Sequence, residues 1–208
     1  MIAITTPEDI IPVQFIRTSM FFLITTIKLS MFTPEETDND ALSSFHSISQ
    51  PWEYELLQFV NIFDAEKLVQ ILTSEEELLI GTDGGAMDHV GSGSFGWVVA
   101  TTDTILAENG GPIFGRKPDS FRAETYGVLS VYTFLRLFAT YCEIQITCKS
   151  RLISDSESFL TRLETTLTTT RPPRYYLAAA MDVEMQILEE FKTWPALPKK
   201  THVKSHQG

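Results

Sequence analysis

Three acidic residues each stand where an apolar run meets a turn former or a helix start. They are Asp83 in Gly81-Thr82-Asp83-Gly84-Gly85-Ala86, Glu124 in Ser120-Phe121-Arg122-Ala123-Glu124-Thr125, and Asp155 in Ile153-Ser154-Asp155-Ser156-Glu157-Ser158. Singly, each has an ordinary explanation. Asp-Gly is a common turn signal, an acid near a helix N-terminus complements the dipole, and Asp and Ser are favoured N-caps. The dipole does not explain why Glu124 heads the apolar stripe of its helix, in line with Val128 and Leu135. Taken together, the three carboxylates fall at the ends of strands and helices of one sheet. Clustered carboxylates repel one another unless a positive charge lies between them. All-oxygen ligand sets suit magnesium or manganese, and two such ions can activate a water and stabilise the leaving oxygen of a phosphodiester.

The elements that must position them read as follows. Leu78-Leu79-Ile80-Gly81-Thr82 is a buried strand that ends in a glycine-rich turn, Phe95–Ala100 is a second strand, and Thr104–Glu108 a third, broken by Asn109-Gly110-Gly111-Pro112. A long helix begins near Ser120 with Glu124 in its first turn and Phe121, Thr125, Val128, Tyr132 and Leu135 as its buried stripe. Residues 143–153 are β-rich, 156–167 and 178–191 are helical, 168–173 form a loop, and Thr201-His202-Val203-Lys204 is a last short strand. Three successive strands imply an antiparallel meander, and the later alternation implies parallel additions. Upstream, Trp52, Leu56, Leu57, Val60 and Phe63 recur at helical spacing, a second short helix runs from Ala65 to Leu72, and residues 33–40 read as a polar linker.

Composition narrows the function. The formal charge is −11, from 16 basic and 27 acidic residues, which argues against a surface that grips nucleic acid all over. Basic residues concentrate in two places: Arg171 and Arg174 beside Tyr175 and Tyr176, and Lys192, Lys199, Lys200 and Lys204 near the C-terminus. Cys142 and Cys148 are the only cysteines and lack metal-ligand spacing, so a reducing, intracellular compartment (cytoplasm or nucleus) is expected. The apolar stretch at 20–32 is interrupted by Lys28. It is shorter than the roughly 20 residues that span a bilayer and reads as a buried strand or helix; no membrane partner is expected. The glycines of Gly91-Ser92-Gly93-Ser94-Phe95-Gly96-Trp97-Val98 imitate a nucleotide loop. A strand rather than a helix follows them, no lysine comes after them before Lys117, and the other kinase signatures are absent. They read as part of the first hairpin.

Leu79–Ala86, Gly93–Val99, Arg122-Ala123-Glu124 and Ser154-Asp155-Ser156, taken in order, resemble ribonuclease H, most of all the ribonuclease H domains of retrotransposon polyproteins. The resemblance implies an α/β fold, a mixed five-stranded sheet flanked by helices, over residues 76–208, with 1–75 as an extension or connection region. It implies that Asp83, Glu124 and Asp155 are the catalytic metal ligands for two magnesium or manganese ions. It also implies that His206, in the closing His202–Gln207 segment, assists proton transfer or product release. The implied reaction is hydrolysis of the RNA strand of an RNA–DNA hybrid in a retroelement context. Apart from the resemblance, Arg171, Arg174, Tyr175 and Tyr176 read either as a cluster that holds the nucleic acid or as a solvated loop with packed tyrosines. The family's fourth carboxylate, beyond the histidine, has no counterpart before Gly208, and Asp182 does not replace it, so a truncated domain with impaired cleavage is expected. Two further readings stand beside this one: an inactive remnant that serves as a folded nucleic-acid or protein interaction module, and the same fold turned to another substrate, as in related nucleases and integrases. Oligomeric state is left open.

Overall fold

The computed structural model describes residues 48–87, 91–115, 119–168 and 180–204, together with the backbone of 10–16 and 21–28. Strands β1 (Ile10–Ile16) and β2 (Phe21–Lys28) pair antiparallel as a two-stranded sheet of their own. Within the apolar stretch at 20–32, Phe21–Lys28 is therefore strand rather than helix; the proposed linker at 33–40 lies outside the described residues.

Next come helix α1 (Pro51–Leu57), β3 (Asn61–Ile62), α2 (Ala65–Leu72), β4 (Glu77–Met87), β5 (Ser92–Ala100), β6 (Ile105–Pro112) and the long helix α3 (Ser120–Tyr141). The chain closes with β7 (Lys149–Ser154), α4 (Glu157–Thr168), α5 (Met181–Phe191) and β8 (Lys199–His202). The main sheet runs β3-β6-β5-β4-β7-β8. β4, β5 and β6 form an antiparallel meander, and β7 and β8 add in parallel beside β4. This is the expected mixed α/β architecture, with six strands instead of five. The extra edge, β3, pairs antiparallel with β6; at two residues between helices it is too short to leave an alternating pattern.

Several boundaries move, each for a local reason. The α1 helix stops at Leu57, and Phe63 is an exposed residue beyond β3 rather than the end of a buried helical stripe. Both glycine-rich segments read as turns are strand: β4 continues through Gly84 and Gly85 to Met87, and β6 through Asn109-Gly110-Gly111-Pro112. The glycines give up side-chain packing but keep the backbone ladder, with Gly84 opposite Phe95 and Gly110 opposite Gly96. The β-rich stretch at 143–153 contains strand only from Lys149, after a left-handed Glu143 (φ 55) turns the chain out of α3. The last helix begins at Met181 after a left-handed Ala180 (φ 56), and the last strand lies two residues earlier than its apolar pattern implied.

The α3 helix is the centre of the core. Val128, Val131, Tyr132, Phe134 and Leu135 on it are fully buried, packed with Leu78 and Ile80 of β4, Trp97 and Val99 of β5, and Leu152 of β7. Such burial of large apolar side chains contributes roughly 1.5–3 kcal/mol each. Leu56, Leu57, Leu68, Ile71 and Leu72 of α1 and α2 belong to the same cluster. Buried polar links set the register of the layers. Trp97 Nε1 donates to Ser130 Oγ at 2.8 Å, and Asn109 Nδ2 donates to the Leu56 carbonyl at 2.7 Å. Arg136 bridges Glu53 of α1 and Glu190 of α5. These links specify which helix face meets which strand more than they stabilise.

One contact ties the sheet to α3 at the end where the acids lie. A Cβ on Gly84 would overlap the backbone of Ala123 and Glu124, whereas one on Gly85 would meet nothing within 4 Å. Gly84→Ala should therefore destabilise the fold by about 1–3 kcal/mol, the usual cost of overpacking. Gly85→Ala should stay within about 0.5 kcal/mol of the native chain. Urea midpoints of the two variants check this; equal midpoints would mean that α3 does not approach β4 so closely.

Candidate metal centre

Each carboxylate is placed by a different element. Asp83 lies on β4, opposite Gly96 of β5 and one residue before the glycine on which α3 rests. Glu124 is the fifth residue of α3 rather than part of its first turn. At that depth the helix dipole has little hold on it, and the residue is almost wholly buried, with 4% of its surface exposed. Asp155 follows β7 directly. The parallel pairing of β4 with β7 runs without a shift from Glu77↔Lys149 to Gly81↔Ile153, so no bulge displaces it. Asp155 is also not the cap of the next helix. Ser156 Oγ accepts the Phe159 N–H at 3.3 Å and fills that role.

These placements bring one oxygen from each of Asp83, Glu124 and Asp155 within 4.8 Å of one another. Glu124 sits at the bottom of the cluster, Asp155 is half-buried and Asp83 opens to solvent. The Gly84 N–H and the Ser154 hydroxyl both donate to the Glu124 carboxylate. Burial, and then the charges of Asp83 and Asp155, nevertheless push its pKa up to about 9. A buried acid facing two others is the arrangement that a bound cation relieves, and the all-oxygen donor set fits a hard divalent ion such as magnesium or manganese.

The surroundings of the cluster are held by backbone and ion-pair contacts. The exposed His202 ring nitrogen Nε2 lies 3.1 Å from the Asp155 carbonyl, and Val203 N–H donates to the Ser154 carbonyl, so the end of β8 props the turn that carries Asp155. Arg122, two residues before Glu124, grips Asp182 through two parallel hydrogen bonds of 2.8 and 2.7 Å. Its Nε also donates to the Phe114 carbonyl. This fork joins the start of α5 to the start of α3 and holds the Asp182 carboxyl below its ordinary value. Asp182 is thereby engaged away from the carboxylate cluster.

Three of the C-terminal lysines lie among acids: Lys192 pairs with Glu189, Lys199 with Glu77 and Lys200 with Glu164. Arg151 also meets Glu77, and Arg162 meets Glu184 while stacking over Phe121. His206, Arg171, Arg174, Tyr175 and Tyr176 lie outside the described residues. Two contributors to the site went unread in the sequence. Gly84 reads as a turn residue in the sequence, and Ser154 only as a neighbour of Asp155. The Gly in the strand pattern was a signal for close backbone approach; a serine beside an acid carries no such signal.

Comparison with known proteins gives matches among solved structures only. The ribonuclease H1 of the halophilic archaeon Halobacterium salinarum NRC-1 is 20% identical over 62% of this chain and 86% of that one, with a TM-score of 0.45. The N-terminal ribonuclease H domain of a Mycobacterium tuberculosis protein, fused to maltose-binding protein, is 19% identical over 62% of this chain and 88% of that one, with a TM-score of 0.45. The LC11 ribonuclease H1, solved in complex with an RNA/DNA hybrid, is 17% identical over 61% of this chain and 85% of that one, with a TM-score of 0.48. No family model and no curated protein matches the chain. The functional reading rests on the carboxylate geometry, not on these likenesses.

The buried acid makes metal binding proton-linked. Because the Glu124 pKa is raised from 4.5 to about 9, the metal-free folded chain keeps a proton that the unfolded chain releases. Stability should therefore fall as pH rises through that window. A cation must displace the same proton, so its apparent affinity rises with pH. At a fixed excess of magnesium, the gain in melting temperature should be clearly larger at pH 8 than at pH 6. Equal gains at the two pH values, measured by thermal denaturation, would contradict the assignment of Glu124 as a ligand.

Proposed function

We propose that this chain is a divalent-metal-dependent endonuclease that hydrolyses the RNA strand of RNA–DNA hybrids in a retroelement context. The observation that carries the reading is the convergence of Asp83, Glu124 and Asp155 to within 4.8 Å, in the strand and helix positions that the sequence resemblance assigned to them. When bound there, two magnesium or manganese ions supply an activated water and stabilise charge on the leaving oxygen of a phosphodiester.

The chain's own residues divide the work. Glu124, buried and held by Gly84 and Ser154, is the fixed ligand. Asp83, at the exposed side, can face both a cation and an approaching phosphate. Asp155, in the turn propped by His202, closes the ligand set. Because the overall charge is −11, substrate phosphates are repelled until cations bridge them, so hybrid binding should itself depend on the metal. Choice of the RNA strand would rest on 2′-hydroxyl and backbone shape rather than on base identity.

Within this proposal Arg171, Arg174, Tyr175 and Tyr176 hold the nucleic acid, and His206 serves proton transfer or product release. Residues 76–208 are the catalytic unit and 1–75 a connection region, of which α1 and α2 pack on the same core. An intracellular site of action is part of the same proposal; among the described residues no helix is long and apolar enough to cross a membrane.

A hybrid with a labelled RNA strand tests the reading. With magnesium the chain should cut that strand internally; with excess chelator, or as Asp83→Asn, cleavage should fall by at least about a hundredfold, the scale of losing a catalytic electrostatic group. Cleavage that persists in both would refute the metal mechanism. Absence of cleavage by the native chain, with metal-dependent hybrid binding retained, would leave a folded binding module.

A further inference from the structure

Ser154 is fully buried at the last position of β7, next in sequence to one acid and in contact with another. Its hydroxyl has two neighbours. The Ser156 N–H donates to Oγ at 3.1 Å, and Oγ lies 3.4 Å from Oε2 of Glu124. With the backbone N–H using a lone pair of Oγ, the hydroxyl hydrogen is left to point at the carboxylate, which as an ionised group only accepts. The serine backbone is also fixed: its carbonyl accepts the Val203 N–H at 3.1 Å, and it pairs with His202 of β8. The alternation of β7 puts Ser154 on the same face as Leu152, which packs in the α3 core, while Ile153 faces away with Leu79 and Val203.

We propose that Ser154 is a positioning residue that holds the Glu124 carboxylate in its metal-ligating orientation and couples it to the turn bearing Asp155. The inference rests on the reading of the three carboxylates as a cation site. Among the described residues, Glu124 accepts from the Gly84 N–H and the Ser154 O–H. Gly84 belongs to the strand of Asp83 and Ser154 to the strand of Asp155, so Glu124 is suspended between the two elements that carry the other acids. Outer partners of this kind orient a ligand and typically change metal affinity by about 10–100-fold when lost.

The test uses the full chain with manganese as the probe, counting free Mn2+ by its electron paramagnetic resonance signal, and needs no substrate. Ser154→Ala should bind Mn2+ about 10–100-fold more weakly than the native chain, with the metal-free melting temperature recorded alongside. Ser154→Thr and Ser154→Val have nearly equal shapes and differ in the hydroxyl, so they keep the test valid even if the alanine variant folds poorly. The threonine variant should bind close to the native affinity and the valine variant as weakly as alanine. Equal binding by threonine and valine, or native affinity in Ser154→Ala, would overturn the role of Ser154 while leaving the site standing. Failure of the native chain to bind Mn2+ would instead remove the cation site on which the inference depends.

Discussion

The backbone of α3 rests on Gly84, and the arrangement of the acids depends on that contact. Any side chain at this position would push the helix off the strand. Without it, Glu124 could not reach down beside Asp83, nor come within reach of the Ser154 hydroxyl on the neighbouring strand. The same approach lets the remainder of α3 sink into the sheet, so that residues from Val128 to Leu135 fill the core. Core packing and site geometry therefore share a cause, and a change that loosens one should loosen the other.

Burial of an acid among acids is costly in the absence of a cation. Desolvation and the two neighbouring aspartates both raise the Glu124 pKa, and the donors around it offset only part of that. Arg122, two residues away on the same helix, does not relieve the cluster because it is committed to Asp182. Arg151 and Lys199 are likewise held by Glu77. A hard divalent cation is a charge partner that the oxygen ligands fit.

Much of this was legible in the sequence, and the parts that were not have identifiable physical causes. Asp83, Glu124 and Asp155 could be picked out because each interrupts an apolar pattern at a point where strand or helix periodicity changes. The order of the elements followed from the same periodicities, including the parallel addition of the later strands. The glycines mislead because Asp-Gly-Gly and Asn-Gly-Gly-Pro are turn signals locally, while the reason for Gly84 is a helix about 40 residues away in the chain. β3 was invisible because two residues carry no period. The partner of a lysine can be equally hidden: Lys199 is plain in the sequence, but the Glu77 that neutralises it lies on β4, far away in the chain. Ser154 leaves no trace in the pattern because its part in the site depends on a hydroxyl direction, which residue type alone does not reveal.

The central claim is that three carboxylates from three elements jointly hold a divalent cation. Crystals of the full chain grown with manganese, with anomalous data collected near the manganese absorption edge, address it directly. The account predicts an anomalous peak within about 2.0–2.6 Å of oxygens from Asp83, Glu124 and Asp155, the range for hard-cation coordination. Manganese bound only elsewhere on the surface, or an empty cluster with the Glu124 carboxylate turned away from both aspartates, would contradict it.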